Sequence, residues 1–227
     1  MKIALCTTNR GKAREIKEFL SGLPVEILSL RDIAFEENII EDGATFHENA
    51  LKKASTVYEK TGLPSLADDS GLCVDALNGA PGVISAFYAG EPPDYEDNNR
   101  RLLGEMKGIT DRRARFVCNI VFIFPASLSI FRGKDSRRGK DSAPTASVGN
   151  RGFDLRIAAN RAIFSCEGVT EGLITDGPRG DQGFGYDPLF FYTPLNKTFG
   201  EMRLAEKNSV SHRGKAIETF KKFLINS

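Results

Sequence analysis

The chain has 227 residues, 41% of them hydrophobic and 27% charged, with a formal net charge of +1. That length suits one large domain, and the near-zero charge argues against a chain given over as a whole to nucleic acid or an anionic membrane. No apolar run approaches the ~18 residues needed to cross a bilayer, and the segment from Met1 to Arg10 lacks the apolar core of a secretory signal, so the expectation is a cytoplasmic protein.

Lys2 to Cys6 reads as a buried first strand, followed by the turn TTNRG. Ala13, Ile16, Phe19 and Leu20 then recur at helical spacing, and Val25 to Leu30 reads as a second strand. Strand, turn, helix and strand in that order open an α/β fold. Thr45 to Tyr58 is the next helix, with Phe46, Ala50, Ala54, Val57 and Tyr58 on one face. Ser65 to Ala67 and Leu72 to Leu77 are short apolar runs around DDSG, which reads as a polar turn. A helix is expected over Tyr95 to Met106, a strand over Arg115 to Phe124, and a last helix from Ser211, a good N-cap. The four cysteines, Cys6, Cys73, Cys118 and Cys166, form no CxxC pair and suit small buried hydrophobes.

Residues 127–163 differ from their surroundings. RGKDS occurs at 132–136 and again at 138–142, and the stretch Arg132 to Arg161 carries a net charge of +5, leaving −4 on the rest. A solvated loop inserted between two strands is the plain expectation, and a basic nucleic-acid arm is the competing one.

Four segments could do chemistry. CTTNRGK, at 6–12, joins a strand to a helix, where backbone N–H groups and the helix dipole favour a phosphate and Lys12 adds a positive charge. It is not a P-loop: Cys6 stands where the first Gly belongs and Ala13 where Ser or Thr would hold magnesium. Glu41, Asp42, Asp68, Asp69 and Ser70 supply hard oxygen ligands at the low density that suits Mg²⁺. DQGFGYDP, at 181–188, alternates turn residues with Phe184 and Tyr186, so backbone and ring could both approach a ligand. Lys207 and SHRG, at 211–214, place His212 and Arg213 in the first turn of a helix, where their charge opposes the dipole, a broken local rule that hints at function. Taken singly, each of the four also fits an ordinary solvated turn or helix start. No GxGxxG follows the first strand, no GxSxG is present, and two histidines without a cysteine cluster give no zinc site.

TTNRGK (7–12), EDGATFHENALKKA (41–54), LADDSGLCVDALNGAPGVISAFYAG (66–90), GFGYDPLFF (183–191) and EKNSVSHRGKA (206–216) together resemble the non-canonical purine NTP pyrophosphatase family, that of inosine triphosphate pyrophosphatase and the RdgB-type dITP/XTP pyrophosphatases. The resemblance implies an elongated, two-lobed α/β fold, with a long central mixed sheet flanked by helices and the active site in the cleft between the lobes. It implies a homodimer, a requirement for Mg²⁺ and a small-molecule nucleotide substrate, with no need for membrane or nucleic acid. By the same likeness Thr7, Thr8, Asn9, Arg10, Gly11, Lys12 and Lys53 would hold the triphosphate. Glu41 and Asp69 would bind the metal, with Asp68 close by, and Asp69 would also accept the proton. Ser70 would touch the substrate. Phe184, Gly185, Tyr186 and Asp187 would hold the nucleoside, with Phe184 on the base, and Lys207, His212 and Arg213 would line the base pocket. The long link between Cys118 and Cys166 departs from the family pattern by roughly thirty residues, a length that costs little in closure entropy. A relative acting on pyrimidine or methylated triphosphates is the alternative within enzymes, and a nucleic-acid-binding module using residues 132–161 the alternative outside them.

Overall fold

The computed structural model describes residues 1–128, 152–158 and 160–226; both copies of RGKDS lie outside them. The strands are β1 (Lys2–Leu5), β2 (Glu26–Ser29), β3 (Ser65–Val74), β4 (Arg113–Pro125), β5 (Phe153–Ala158), β6 (Arg161–Ile174), β7 (Phe190–Tyr192) and β8 (Lys197–Thr198). They form one mixed sheet in the order β2-β1-β3-β4-β6-β7-β8, with β5 also paired to β6. β1 runs parallel to β2 and β3, while β3, β4, β6, β7 and β8 pair antiparallel in succession. The helices are α1 (Arg10–Phe19), α2 (Phe46–Thr61), α3 (Tyr95–Glu105), α4 (Leu204–Val210) and α5 (His212–Asn226).

Strand β4 shows why the molecule has two lobes on one sheet. Side chains alternate between faces with period two. On one face Ala114 and Phe116 pack with Leu72, Tyr186, Phe190 and Phe199. Further along the same face, Cys118, Ile120, Phe122 and Phe124 pack with Ile16 and Leu20 of α1 and with Ile217, Phe220 and Phe223 of α5. On the opposite face Val121 and Ile123 meet Ala50, Ala54 and Val57 of α2. Of the apolar stripes seen in the sequence, Ile16, Leu20, Ala50, Ala54 and Val57 are buried, and Ala13, Phe19, Phe46 and Tyr58 are half-buried. Cys6, Cys73, Cys118 and Cys166 are free and buried. Among the described residues no helix is long and apolar enough to cross a membrane.

Ser211 is the expected cap, its Oγ accepting from Gly214 N at 3.0 Å at the start of α5, while Thr45, read as the first helical residue, is instead the N-cap of α2 and accepts from Glu48 N. Two expectations change. DDSG is not a turn: β3 runs unbroken through it, paired to β4 at every position from Ser65↔Ile123 to Val74↔Ala114. Part of the stretch 127–163 is sheet, because Phe153–Ala158 and the first residues of β6 are paired strands, with Leu155, Ala162 and Phe164 buried in the core.

Candidate active site

The connections fix where a ligand can enter. From β1 the chain passes through α1 to β2 on one side, then through α2 to β3 on the other. α1 and α2 therefore lie on opposite faces, and a crevice opens beyond the C-terminal end of β1, as at the switch points of open α/β sheets. β1 pairs with β3 only at Ala4↔Ser65 and Leu5↔Leu66. β3 continues past that point, so Asp68, Asp69 and Ser70 border the crevice.

Because neighbours in a strand point to opposite faces, the paired aspartates serve opposite sides of the sheet. Asp69 lies on the α2 side. Lys53 of α2 reaches it, with Nζ 3.0 Å from Asp69 Oδ1 and 2.6 Å from Glu41 Oε2. Burial opposes charge on Lys53, but Asp69, Asp68 and Glu41 outweigh it and hold its pKa above the usual lysine value. Burial also holds the Asp69 carboxyl above its ordinary value in spite of Lys53 and Lys12.

Asp68 lies on the α1 and α5 side. Lys12 Nζ stands 3.2 Å from its Oδ2, and Arg213 Nε donates to the same oxygen at 3.2 Å. Burial works against this charge, yet Lys12, Arg213 and Lys53 hold the carboxyl well below the usual carboxylate range. Asp68 Oδ1 is buried, and among the described residues no hydrogen bond reaches it. A buried carboxylate oxygen without a donor is an anomaly that a cation would remove. Arg213 also donates to Ser70 Oγ at 2.7 Å and to Glu15.

The turn at 7–12 caps α1. Thr7 Oγ1 accepts from Asn9 N at 3.1 Å, and Asn9 Oδ1 accepts from Lys12 N at 3.1 Å. Thr8 and Arg10 are exposed. Gly11 has no room for a side chain, since a Cβ would lie 2.6 Å from Cδ1 of Phe184. That contact joins the turn to the loop at 183–187, which sits on the other lobe through buried Tyr186, whose hydroxyl donates to Ser85 O at 2.9 Å. Asp187 is buried and accepts from Phe184 N and from Lys207 Nζ, each at 2.7 Å. Burial raises its pKa against the pull of Lys207. Asn99 of α3 donates to Gly185 O at 3.1 Å. Lys207 Nζ lies 4.8 Å from the Phe184 ring centroid, and the Arg213 guanidinium 5.8 Å. His212 stacks on Phe116 at 4.6 Å, and burial, together with Arg213 and Lys207, drives its pKa far below the ordinary value, so it is neutral.

Contacts link several of the residues singled out from the sequence: Lys12 and Arg213 meet Asp68, Lys53 meets Asp69 and Glu41, and Phe184 lies against Gly11, Lys207 and Arg213. Glu15 was not anticipated. It is buried in α1, with Oε1 accepting from Lys207 Nζ at 2.8 Å and its other oxygen from Arg213, and those two cations hold its pKa down against burial. Its signal was a Glu inside the stripe 12, 15, 16, 19 and 20 that the helix turns inward. Tyr95 and Asn99, on α3, were missed because nothing local marks the face of α3 that meets the crevice.

The fold is that of an α/β protein built on one mixed sheet flanked by helices. The sequence model of the Ham1 family matches residues 3–223, and the chain belongs to that family. A protein of Geobacter sulfurreducens named dITP/XTP pyrophosphatase is 44% identical over 225 residues, covering 98% of this chain and 96% of its own. One of the same name from Syntrophobacter fumaroxidans is 44% identical over 217 residues, covering 95% and 78%. Among solved structures, a HAM1 protein from Coxiella burnetii aligns over 100% of both chains at 33% identity with a TM-score of 0.77.

Proposed function

We propose that the protein hydrolyses non-canonical purine nucleoside triphosphates, ITP, dITP and XTP, to the monophosphate and pyrophosphate, with Mg²⁺ as cofactor. The observation that carries this reading is the convergence of Glu41 and Asp69 on one cationic nitrogen beside the phosphate turn. The two carboxylates already share one cation, the Lys53 ammonium, at 2.6 and 3.0 Å, so the fold brings Glu41 and Asp69 to a common positive charge. Among the described residues no three His, Cys, Asp or Glu converge. That sparse set is what Mg²⁺ accepts when it keeps waters and takes the remaining oxygens from phosphate. Glu41 and Asp69 would hold the ion, which would supply Lewis-acid stabilisation of phosphate charge.

The chain's own residues do the rest. The turn at 7–12, through its N–H groups not already bonded within the turn, and the amino end of α1 receive the triphosphate. Asp69 takes a proton from a water, whose oxygen attacks the α-phosphorus in line as the bond to the oxygen bridging to the β-phosphate breaks. Lys12 and Lys53 face the charge growing on the departing pyrophosphate, and the long stem of Lys53 allows it to turn from the carboxylates to the phosphates. Phe184 stacks on the base. Arg213, with five N–H donors of which Asp68, Glu15 and Ser70 take some, offers a donor to a carbonyl at position six. The adenine amine meets that donor unpaired, and such mispairing can discriminate by about 10⁴-fold. A homodimer acting on the cytoplasmic nucleotide pool completes the reading.

The test is pyrophosphate release from ITP, XTP, GTP and ATP, with and without Mg²⁺. Release from ITP and XTP that needs Mg²⁺ and far exceeds that from ATP is expected. Equal turnover of ATP and ITP would remove the base-recognition part, and full turnover in excess chelator the metal part.

A further inference from the structure

We propose that Tyr95, at the first turn of α3, is a nucleoside-binding residue whose ring forms the second aromatic wall of the nucleoside slot, facing Phe184. The proposal rests on the function given above and extends it to a residue that no motif identified.

Three contacts carry it. The Tyr95 and Phe184 ring centroids are 6.2 Å apart with their planes tilted by 39°. Asn9, whose Oδ1 caps α1 at the phosphate turn, donates from Nδ2 to the Tyr95 hydroxyl at 3.1 Å. One helical turn further on, Asn99 holds the carbonyl of Gly185, the residue after Phe184. The face of α3 that carries Tyr95 and Asn99 is thus tied at once to the turn expected to grip phosphates and to the loop expected to grip the base.

Tyr95 is 42% exposed, a high value for an aromatic side chain held by partners on two sides. The ring therefore has apolar area left to cover. A purine between two rings stands about 3.5 Å from each, so the slot needs a gap of about 7 Å. The observed separation falls a little short of that, and a small outward movement of either ring admits the base. The two walls are unequal. Lys207 stands over the Phe184 ring at 4.8 Å, and Gly11 fixes the ring's edge. Tyr95 hangs from one hydrogen bond on an exposed helix start, so it is the wall that adjusts. Its hydroxyl sets the spacing between base slot and phosphate turn, which ties recognition of the nucleoside to placement of the triphosphate.

The experiment uses the full chain as wild type, Tyr95→Ala, Tyr95→Leu and Tyr95→Phe. Calorimetry measures the binding of IMP and, separately, of pyrophosphate in Mg²⁺ buffer, and steady-state kinetics follow ITP. Thermal denaturation confirms that each variant is folded. Removing a base-stacking ring should weaken IMP binding and raise KM for ITP at least about fivefold in both Tyr95→Ala and Tyr95→Leu, with the loss in KM rather than kcat. Pyrophosphate binding should hold, and Tyr95→Phe should recover most of the lost IMP affinity. IMP affinity unchanged in Tyr95→Leu would overturn the proposal. An equal loss for IMP and pyrophosphate would overturn it too, by assigning Tyr95 to the Asn9 turn alone. Failure of the wild type to bind IMP or cleave ITP would instead refute the function on which the proposal depends, and the proposal with it.

Discussion

Glu15→Ala is the sharpest test of the charge network under the crevice. The Glu15 side chain is 3% exposed and bridges Lys207, at 2.8 Å, to Arg213, each of them also 3% exposed. Truncation leaves two buried cations short of a partner. Removing one member of a buried ion pair costs about 3–5 kcal/mol. Lys207 keeps Asp187 at 2.7 Å and Arg213 keeps Asp68 at 3.2 Å, so the low end applies, about 3 kcal/mol. For a domain of this size each kcal/mol moves Tm by roughly 2–4 °C, which gives a fall of about 6–12 °C. The pH dependence has a definite sign. The folded pKa of Glu15 is depressed, so its contribution is complete above the unfolded value of about 4.3 and disappears as pH falls through the lower folded value. The gap between wild type and Glu15→Ala should stay level from pH 8 to pH 6 and shrink below about pH 4. Scanning calorimetry across that range measures it. A Tm within about 2 °C of wild type at pH 7, or a gap that widens on acidification, would refute the reasoning.

Two further outcomes follow from the same coordinates. Asp69→Asn removes a carboxylate that is both the expected metal ligand and the expected base, and should lower kcat for ITP by at least about 10²-fold while the far-UV spectrum stays that of wild type; near-normal turnover would take Asp69 out of the chemistry. Gly168→Ala should destabilise by about 1–3 kcal/mol or more, because a Cβ there lies 2.1 Å from His212 O and 2.7 Å from Ala216 N, where β6 passes under α5 and neither backbone can yield. Urea midpoints compare the two proteins, and an unchanged midpoint would mean that α5 is free to shift.

The α/β class, the first strand–helix–strand unit, the inward faces of α1, α2 and α5, and the cap at Ser211 were legible in the sequence, because periodicity and capping are local and bind residues a few positions apart. The candidate site residues were legible as types in short motifs: Lys12 in a strand-to-helix turn, two adjacent aspartates, Phe184 among glycines. Tertiary structure decided the rest. DDSG has the composition of a turn, yet it stands in the middle of β3, since Lys12, Lys53 and Arg213 arrive from three different helices to satisfy carboxylates that would otherwise break the strand. Only the strand's alternation then sends Asp68 and Asp69 to opposite faces, and only the positions of α1 and α2 decide which cation each one meets. Glu15 pairs with Lys207 and Arg213 across 192 and 198 residues of chain. No local signal carries such a pairing, because a charge buried in the interior is stabilised by partners that exist only once the lobes have closed around it.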